Sequence, residues 1–189
     1  MLAKLRSVAI TGIDAEIVEV ELDLSGGLPG MILVGLPDKA VQESGHRIRS
    51  ALNNSGYQYP ARKLVVSLAP AELPKEGAVY DLPIALAVLM ASEQIPTGRS
   101  GDCLVLGELA LDGAVRPVRG VLAAAITARQ RGIRGLIVPR ANAPEALVMA
   151  EDLEIVAVEH ITEAVEFLAG TKPAPPLPRP AKEAHGTNG

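Results

Sequence analysis

Residues 104–132 read LVLGELALDGAVRPVRGVLAAAITARQRG, and this stretch decides the fold class. Leu104, Val105 and Leu106 form a compact apolar run, Asp112 and Gly113 are a pair suited to a tight turn, and Val115 to Val118 resumes extended chain. That pattern predicts a pair of short strands. Val121, Leu122, Ala125, Ile126 and Ala128 then recur at roughly helical spacing, and Gly132 falls where a helix ends. Leu136 to Pro139 follows as another apolar run. A strand, a helix and a strand in succession form the crossover from which sheets with helices on their faces are built.

Upstream, Leu5 to Ile13 reads as a strand. Val18, Val20, Leu22 and Leu24 alternate with Glu19, Glu21 and Asp23, a period of two that predicts a half-buried strand with three carboxylates on its solvated face. Ser25 to Pro29 makes a turn and Met31 to Val34 another strand. Asp38 is placed to cap a helix ending near Gly56, with Val41, Ile48, Ala51 and Leu52 inward and Lys39, Gln42, Glu43, His46, Arg47, Arg49 and Ser50 outward. Leu64 to Leu68 is a strand, and Pro70 to Gly77 a loop rich in proline and charge. Asp81 then reads as a helix cap with Pro83 in the first turn, and Ile84 to Ala91 is apolar nearly all round, as in a helix buried between layers. A short helix around Pro144 to Met149, a strand from Glu154 to Val158 and a helix from Ile161 to Leu168 complete the pattern. The fold class is α/β, one mixed sheet with packed helices.

Residues 1–170 suit one domain. Residues 171–189 carry five prolines between Pro173 and Pro180 and no apolar period, which predicts a flexible linker or tail, and hence a chain that is one piece of a longer protein. The composition narrows the function classes. Eighteen Lys and Arg against 22 Asp and Glu leave a net charge of −4, so any nucleic-acid contact must be a local basic face. Aromatics at 2% leave almost nothing to stack on bases. Cys103 is alone and begins an apolar strand, so it reads as a core residue in a reducing, cytoplasmic setting. No signal-peptide pattern or membrane-length apolar run is present, so no membrane partner is expected. His46, His160 and His185 lie far apart without ligand spacing, and read as surface or tail residues rather than a metal site. The phosphate-cradling pattern GxxxxGK[ST] occurs nowhere, and Gly12, Gly26, Gly27 and Gly30 are turn glycines.

Three motifs carry a resemblance: GLPDKAVQESGHRIRSALNNSG (Gly35 to Gly56), VSLAPAELPKEGAVYDLPIALAVL (Val66 to Leu89) and LGELALDGAVRPVRGVL (Leu106 to Leu122). Together they resemble the N-terminal domain of the magnesium-chelatase-like AAA+ ATPases of the YifB/ComM type. That domain is in turn similar to the proteolytic domain of Lon and to the second domain of ribosomal protein S-five. The resemblance implies an accessory domain followed, after a proline-rich linker, by a motor that binds ATP and Mg, with DNA branch migration during natural transformation as the parent's role. It also implies assembly with that motor module and as a homo-oligomeric ring.

Lon-like ancestry implies a Ser-Lys peptidase, whose serine would follow the Pro74-Lys75-Glu76-Gly77 turn and whose lysine would open the helix at or beside Leu122. Between Ala78 and Ala91 there is no Ser, Thr or Cys, and no Lys occurs between Lys75 and Lys172. An apolar residue cannot take a proton, so no catalytic residue is assigned; Ser67 and Lys75 are the nearest stand-ins. What remains is binding, by an accessory domain or by a stand-alone degenerate Lon-fold module. Arg47, Arg49, Arg62 and Lys63 form one basic group. Arg116 and Arg119, with Arg129, Arg131, Arg134 and Arg140 further on, form another. The first four with Arg116 and Arg119 are the candidate DNA contacts, with subunit contacts as the competing reading.

Overall fold

The computed structural model describes residues 1–178. Two long strands, β1 (Leu2–Thr11) and β2 (Asp14–Ser25), pair antiparallel around the turn at Gly12 and form the spine of the sheet. The alternation in β2 is borne out: Val18, Val20, Leu22 and Leu24 are buried, Glu19 and Asp23 face solvent, and Glu21 lies 3.5 Å from Lys4 on β1. β1 begins at Leu2 rather than at Leu5, because the first residues pair with the far end of β2 through Leu2 and Asp23.

β3 (Gly30–Val34) leads into α1 (Lys39–Gln42), α2 (Ser44–Asn54) and then β4 (Lys63–Ala69). Asp38 caps α1 as expected, its Oδ1 accepting the Val41 N–H at 2.9 Å. The single helix predicted here is broken at Glu43, just before Ser44 and Gly45, a pair that weakens helix continuity. Between β3 and α1, Gly35 has φ +113°, and a Cβ there would lie 2.1 Å from the Leu68 carbonyl oxygen, so only glycine fits the passage.

All eleven residues of α3 (Asp81–Ala91) are buried, as an apolar sequence without a solvated face requires. The helix lies between β1 and β2 on one side and α2 on the other. Asp81, expected to cap it, is instead its first residue and fully buried, because Arg47 pairs with it from α2; Tyr80 holds the cap position without a side-chain bond.

Residues 104–132 divide differently from the predicted strand pair. β5 (Cys103–Val105) belongs to the main sheet, and the turn at Asp112 and Gly113 closes a separate ribbon of β6 (Glu108–Leu109) and β7 (Val115–Arg116). Leu104 and Val105 are fully buried and pair with β1 and the later sheet, so the ribbon falls to the less apolar residues that follow. The predicted crossover is present: α4 (Val121–Gln130) ends before Gly132, whose φ is +68°, and β8 (Gly135–Pro139) runs parallel to β5. α5 (Ala143–Ala146), β9 (Glu154–Val158) and α6 (Ile161–Ala169) follow.

The sheet order is β3-β4-β2-β1-β5-β8-β9, and every strand except β2 runs the same way. α2, α3 and α6 cover one face; α4 and α5 cover part of the other, over Val8, Leu104, Leu106, Leu136, Val138 and Ile155. Cys103 is buried, as expected, and burial pushes its thiol up to about 12. In the proline-rich segment, Ala174 packs on the core under α2, α3 and α6, and the Arg140 Nη1 donates to the Pro176 carbonyl at 2.9 Å. Residues 179–189 of that segment, and His185 with them, lie outside the described residues. Among those described, no helix is long and apolar enough to cross a membrane.

Truncating Leu86 in α3, which is fully buried, to alanine is expected to cost about 2–5 kcal/mol in urea denaturation. The same truncation at Leu111, 56% exposed, is expected to stay within about 0.5 kcal/mol.

Candidate functional site

At the end of the sheet where β1 turns into β2, three segments, with Asp38 and Glu108 between them, line a cavity of about 1100 Å³. The first is the end of β1 with its turn, giving Val8, Ile10, Gly12 and Ile13. The second is the Pro74–Tyr80 turn, and the third runs from Pro117 into the first turns of α4 through Gly120, Leu122 and Ile126. Gly120 stands at the start of α4 with φ +85°, and a Cβ there would lie 2.4 Å from Ile10. The absence of a side chain therefore lets the helix start close against β1.

Backbone and side-chain bonds fix each wall. Asp38 caps α1 with one carboxylate oxygen and accepts the Gly77 N–H at 3.0 Å with the other, while its own N–H donates to the Lys75 carbonyl at 2.9 Å. The Tyr80 hydroxyl, buried, donates to the Val8 carbonyl at 2.9 Å and ties the turn to β1; burial raises its pKa. The Gly107 N–H donates to the Val79 carbonyl at 3.0 Å, and the Leu82 N–H to the Gly107 carbonyl at 2.9 Å.

Behind this wall sits an ion pair. Arg47 on α2 forks onto Asp81, Nε to Oδ2 at 2.6 Å and Nη2 to Oδ1 at 3.0 Å, and the Leu109 N–H donates to Oδ2 at 3.1 Å. One carboxylate thus joins α2, α3 and β6. Burial pushes the Asp81 carboxyl above its usual range, while the bonds from Arg47 and Leu109 pull against that rise. Arg47 is held charged chiefly by its hydrogen bond to Asp81. The ribbon is pinned at its other end by His160, which caps α6 through the Thr162 N–H at 3.2 Å and reaches the Asp112 carbonyl with Nε2 at 2.9 Å. His160 is therefore a structural cap and not the simple surface residue expected. Its signal was the spacing to Glu163, whose carboxylate accepts the His160 N–H at 3.1 Å to complete a capping box.

The cavity brings together the two segments that the Lon resemblance singles out. On one side stand Ala78 and Val79, on the other Leu122; its described lining contains no Ser, Thr, Cys, Lys or His. Its charged lining residues are Asp38, Glu76, Glu108 and Arg119. Ser67 lies on the face of β4 turned away from the buried Leu64, Val66 and Leu68, and Lys75 is buried with its ammonium donating to the Pro70 carbonyl. Burial lowers the Lys75 pKa, but neither residue lines the cavity. Ile13, 92% exposed, and Leu122 and Ile126, half-exposed, give the mouth an apolar rim.

The six basic candidates fall in separate places. Arg47 is engaged with Asp81. Arg49 is exposed on α2 with its guanidinium 5.8 Å from the Tyr59 ring centre. Arg62 and Lys63 sit where β4 begins, opposite Ser25, with the Arg62 Nη2 3.4 Å from the Leu24 carbonyl. Arg116 and Arg119 are exposed on the ribbon and at the cavity. Lys63 lies beside the Leu2 end of the spine and Arg119 beside its Thr11 end, so a ten-residue strand, about 33 Å long, separates Arg62 and Lys63 from Arg119, whereas Arg47 stands near the ribbon through Asp81 and Leu109.

The family described as subunit ChlI of Mg-chelatase matches residues 20–142, more than half of the chain. YifB of Escherichia coli strain K12 is 44% identical over 172 residues, which are 91% of this chain and 33% of that protein. Competence protein ComM of Haemophilus influenzae is 42% identical over 183 residues, 97% of this chain and 36% of that protein. A weaker similarity, 25% over 170 residues, reaches the Lon protease of Mycolicibacterium smegmatis and covers 85% of this chain and 21% of the protease. The chain spans about a third of the length of YifB and ComM.

Replacing Arg47 by methionine is expected to cost about 3–5 kcal/mol at pH 7, because it leaves the Asp81 carboxylate buried without its cation. A carboxyl whose folded pKa is raised favours folding below its unfolded pKa and loses that contribution as pH rises through the folded value. Removing Arg47 raises it further, so the deficit should shrink as pH falls toward 5. Urea midpoints of both proteins at pH 7 and pH 5 check this; a pH-independent deficit would contradict it.

Proposed function

The chain belongs to the family of the ChlI subunit of magnesium chelatase, and from that membership we propose that it is a noncatalytic accessory domain of a magnesium-chelatase-like AAA+ ATPase. The observation that carries the reading is the cavity lining. Ala78 and Val79 follow the turn after which the Lon resemblance puts a serine, and Leu122 stands at or beside the place of its lysine; none of these side chains can supply a nucleophile or accept a proton. The site therefore acts by holding something rather than by cutting it.

ATP and Mg belong to the motor of the parent protein. The residues of this chain do not fit them: the phosphate-cradling motif is absent from the sequence, and among the described residues no group of three His, Cys, Asp or Glu side chains is placed to hold a metal ion. The setting is cytoplasmic, with the motor module and neighbouring subunits of a ring as partners. The apolar rim of Ile13, Leu122 and Ile126 favours protein contact over DNA, and the net charge of −4 supports that preference.

DNA contact, as in branch migration during natural transformation, is a second reading. It is favoured by Arg116 and Arg119, both exposed and neither in a salt bridge with any described residue.

Two assays test these readings. Incubated with unfolded protein and with a serine-directed fluorophosphonate, the purified chain is expected to show neither cleavage nor labelling; either one would overturn the noncatalytic reading. In fluorescence anisotropy with duplex DNA, contact through Arg116 and Arg119 requires binding that weakens steeply with salt. Replacing both by alanine should then reduce the slope of log K against log salt by about 2. Absence of salt-dependent binding would leave the protein-contact reading alone.

A further inference from the structure

We propose that β3 is the seam of a two-fold dimer, in which the β3 strands of two copies pair antiparallel about Ile32. The inference is independent of the accessory-domain reading. Among the described residues, β3 is an outer strand of the seven-stranded sheet and pairs only with β4. The Gly30 N–H donates to the Arg62 carbonyl on the β4 side at 3.3 Å. Parallel pairing uses alternate residues, so Gly30, Ile32 and Val34 turn their N–H and C=O groups toward β4, while Met31 and Leu33 turn theirs outward. Two donors and two acceptors spaced this way are their own complement under a two-fold axis through Ile32. Met31 of each copy then meets Leu33 of the other and exchanges both bonds with it.

An open edge of this kind is a template for another strand, and folded proteins guard it with charge, proline, a bulge or a covering element. Here Leu28 to Pro37 contains no charged residue, and Pro29 and Pro37 both fall outside the strand. The side chains left at the surface are apolar: Ile32 and Val34 are each 46% exposed, Leu36 is 55% and Leu28 is 88%. An uncharged edge suits its own copy, because self-pairing sets no like charges opposite one another, and it offers nothing to select a charged peptide. In the same register Val34 falls opposite Gly30 of the second copy, where no side chain competes for its space. Residues 171–178 do not cover this edge. Arg140 holds Pro176 near β9, at the other side of the sheet, about 29 Å away.

Cysteine pairing tests the register directly, since Cys103 is buried and does not compete. In Ile32→Cys the two new Cα atoms would face each other at about 4.5 Å, within disulfide range. In Val34→Cys they would be about 13 Å apart, well beyond it. Mild oxidation should therefore link Ile32→Cys into a species of twice 19.7 kDa and leave Val34→Cys unlinked. Sedimentation equilibrium of the unmodified chain across the micromolar range should show a reversible dimer. Ile32→Lys, an exposed position, should weaken it at least tenfold, about 1.4 kcal/mol, with an unchanged melting temperature at concentrations where both proteins are monomeric. A chain that stays monomeric, equal linking of both cysteine variants, or assembly unaffected by Ile32→Lys would each overturn the proposal.

Discussion

The buried ion pair between Arg47 and Asp81 is the constraint on which the cavity end of the structure depends. α3 has no other charged residue and is enclosed on all sides, so its first residue has to bring its own cation. Arg47 supplies it from α2, and the Leu109 N–H takes up further capacity of the same carboxylate. Three elements that are distant in sequence are thereby fixed to one point. The β6–β7 ribbon held in this way delivers Pro117 to Leu122 to the cavity, and His160 secures the ribbon from the α6 side.

Around that point the cavity joins the two segments that the Lon resemblance singles out, and its described lining offers no Ser, Thr, Cys, Lys or His. The Pro74–Tyr80 turn is tied to β1 by Tyr80 and to α1 by Asp38, which is more support than a surface loop needs. The positions so carefully held carry Ala78, Val79 and Leu122. Rigid walls with apolar groups suit the recognition of an apolar segment, and the half-exposed rim extends that surface outward.

Much of the fold was legible in the sequence because it is local. The alternation of β2, the all-apolar run of α3, the Asp38 cap and the strand-helix-strand crossover are each set by neighbours within a few residues. What was not legible depends on partners far along the chain. Asp81 reads as a cap until Arg47, 34 residues away, is seen to reach it. The strand assigned to Leu104–Leu106 was drawn into the main sheet by β1 and β8, and the ribbon formed from what followed. The cavity was half legible: the motif comparison singled out the Pro74 turn and Leu122. Ile10 and Ile13 were read as the end of a strand and Gly12 as a turn glycine, since nothing in their local pattern shows that the other two segments fold against them.

The most direct test of the accessory-domain account is the mass of the native polypeptide in its source cells, detected with an antibody raised against this chain. The account predicts a single band at about three times 19.7 kDa, the proportion found in YifB, with the motor on the same polypeptide. A band at 19.7 kDa itself would contradict it and leave a free-standing binding module.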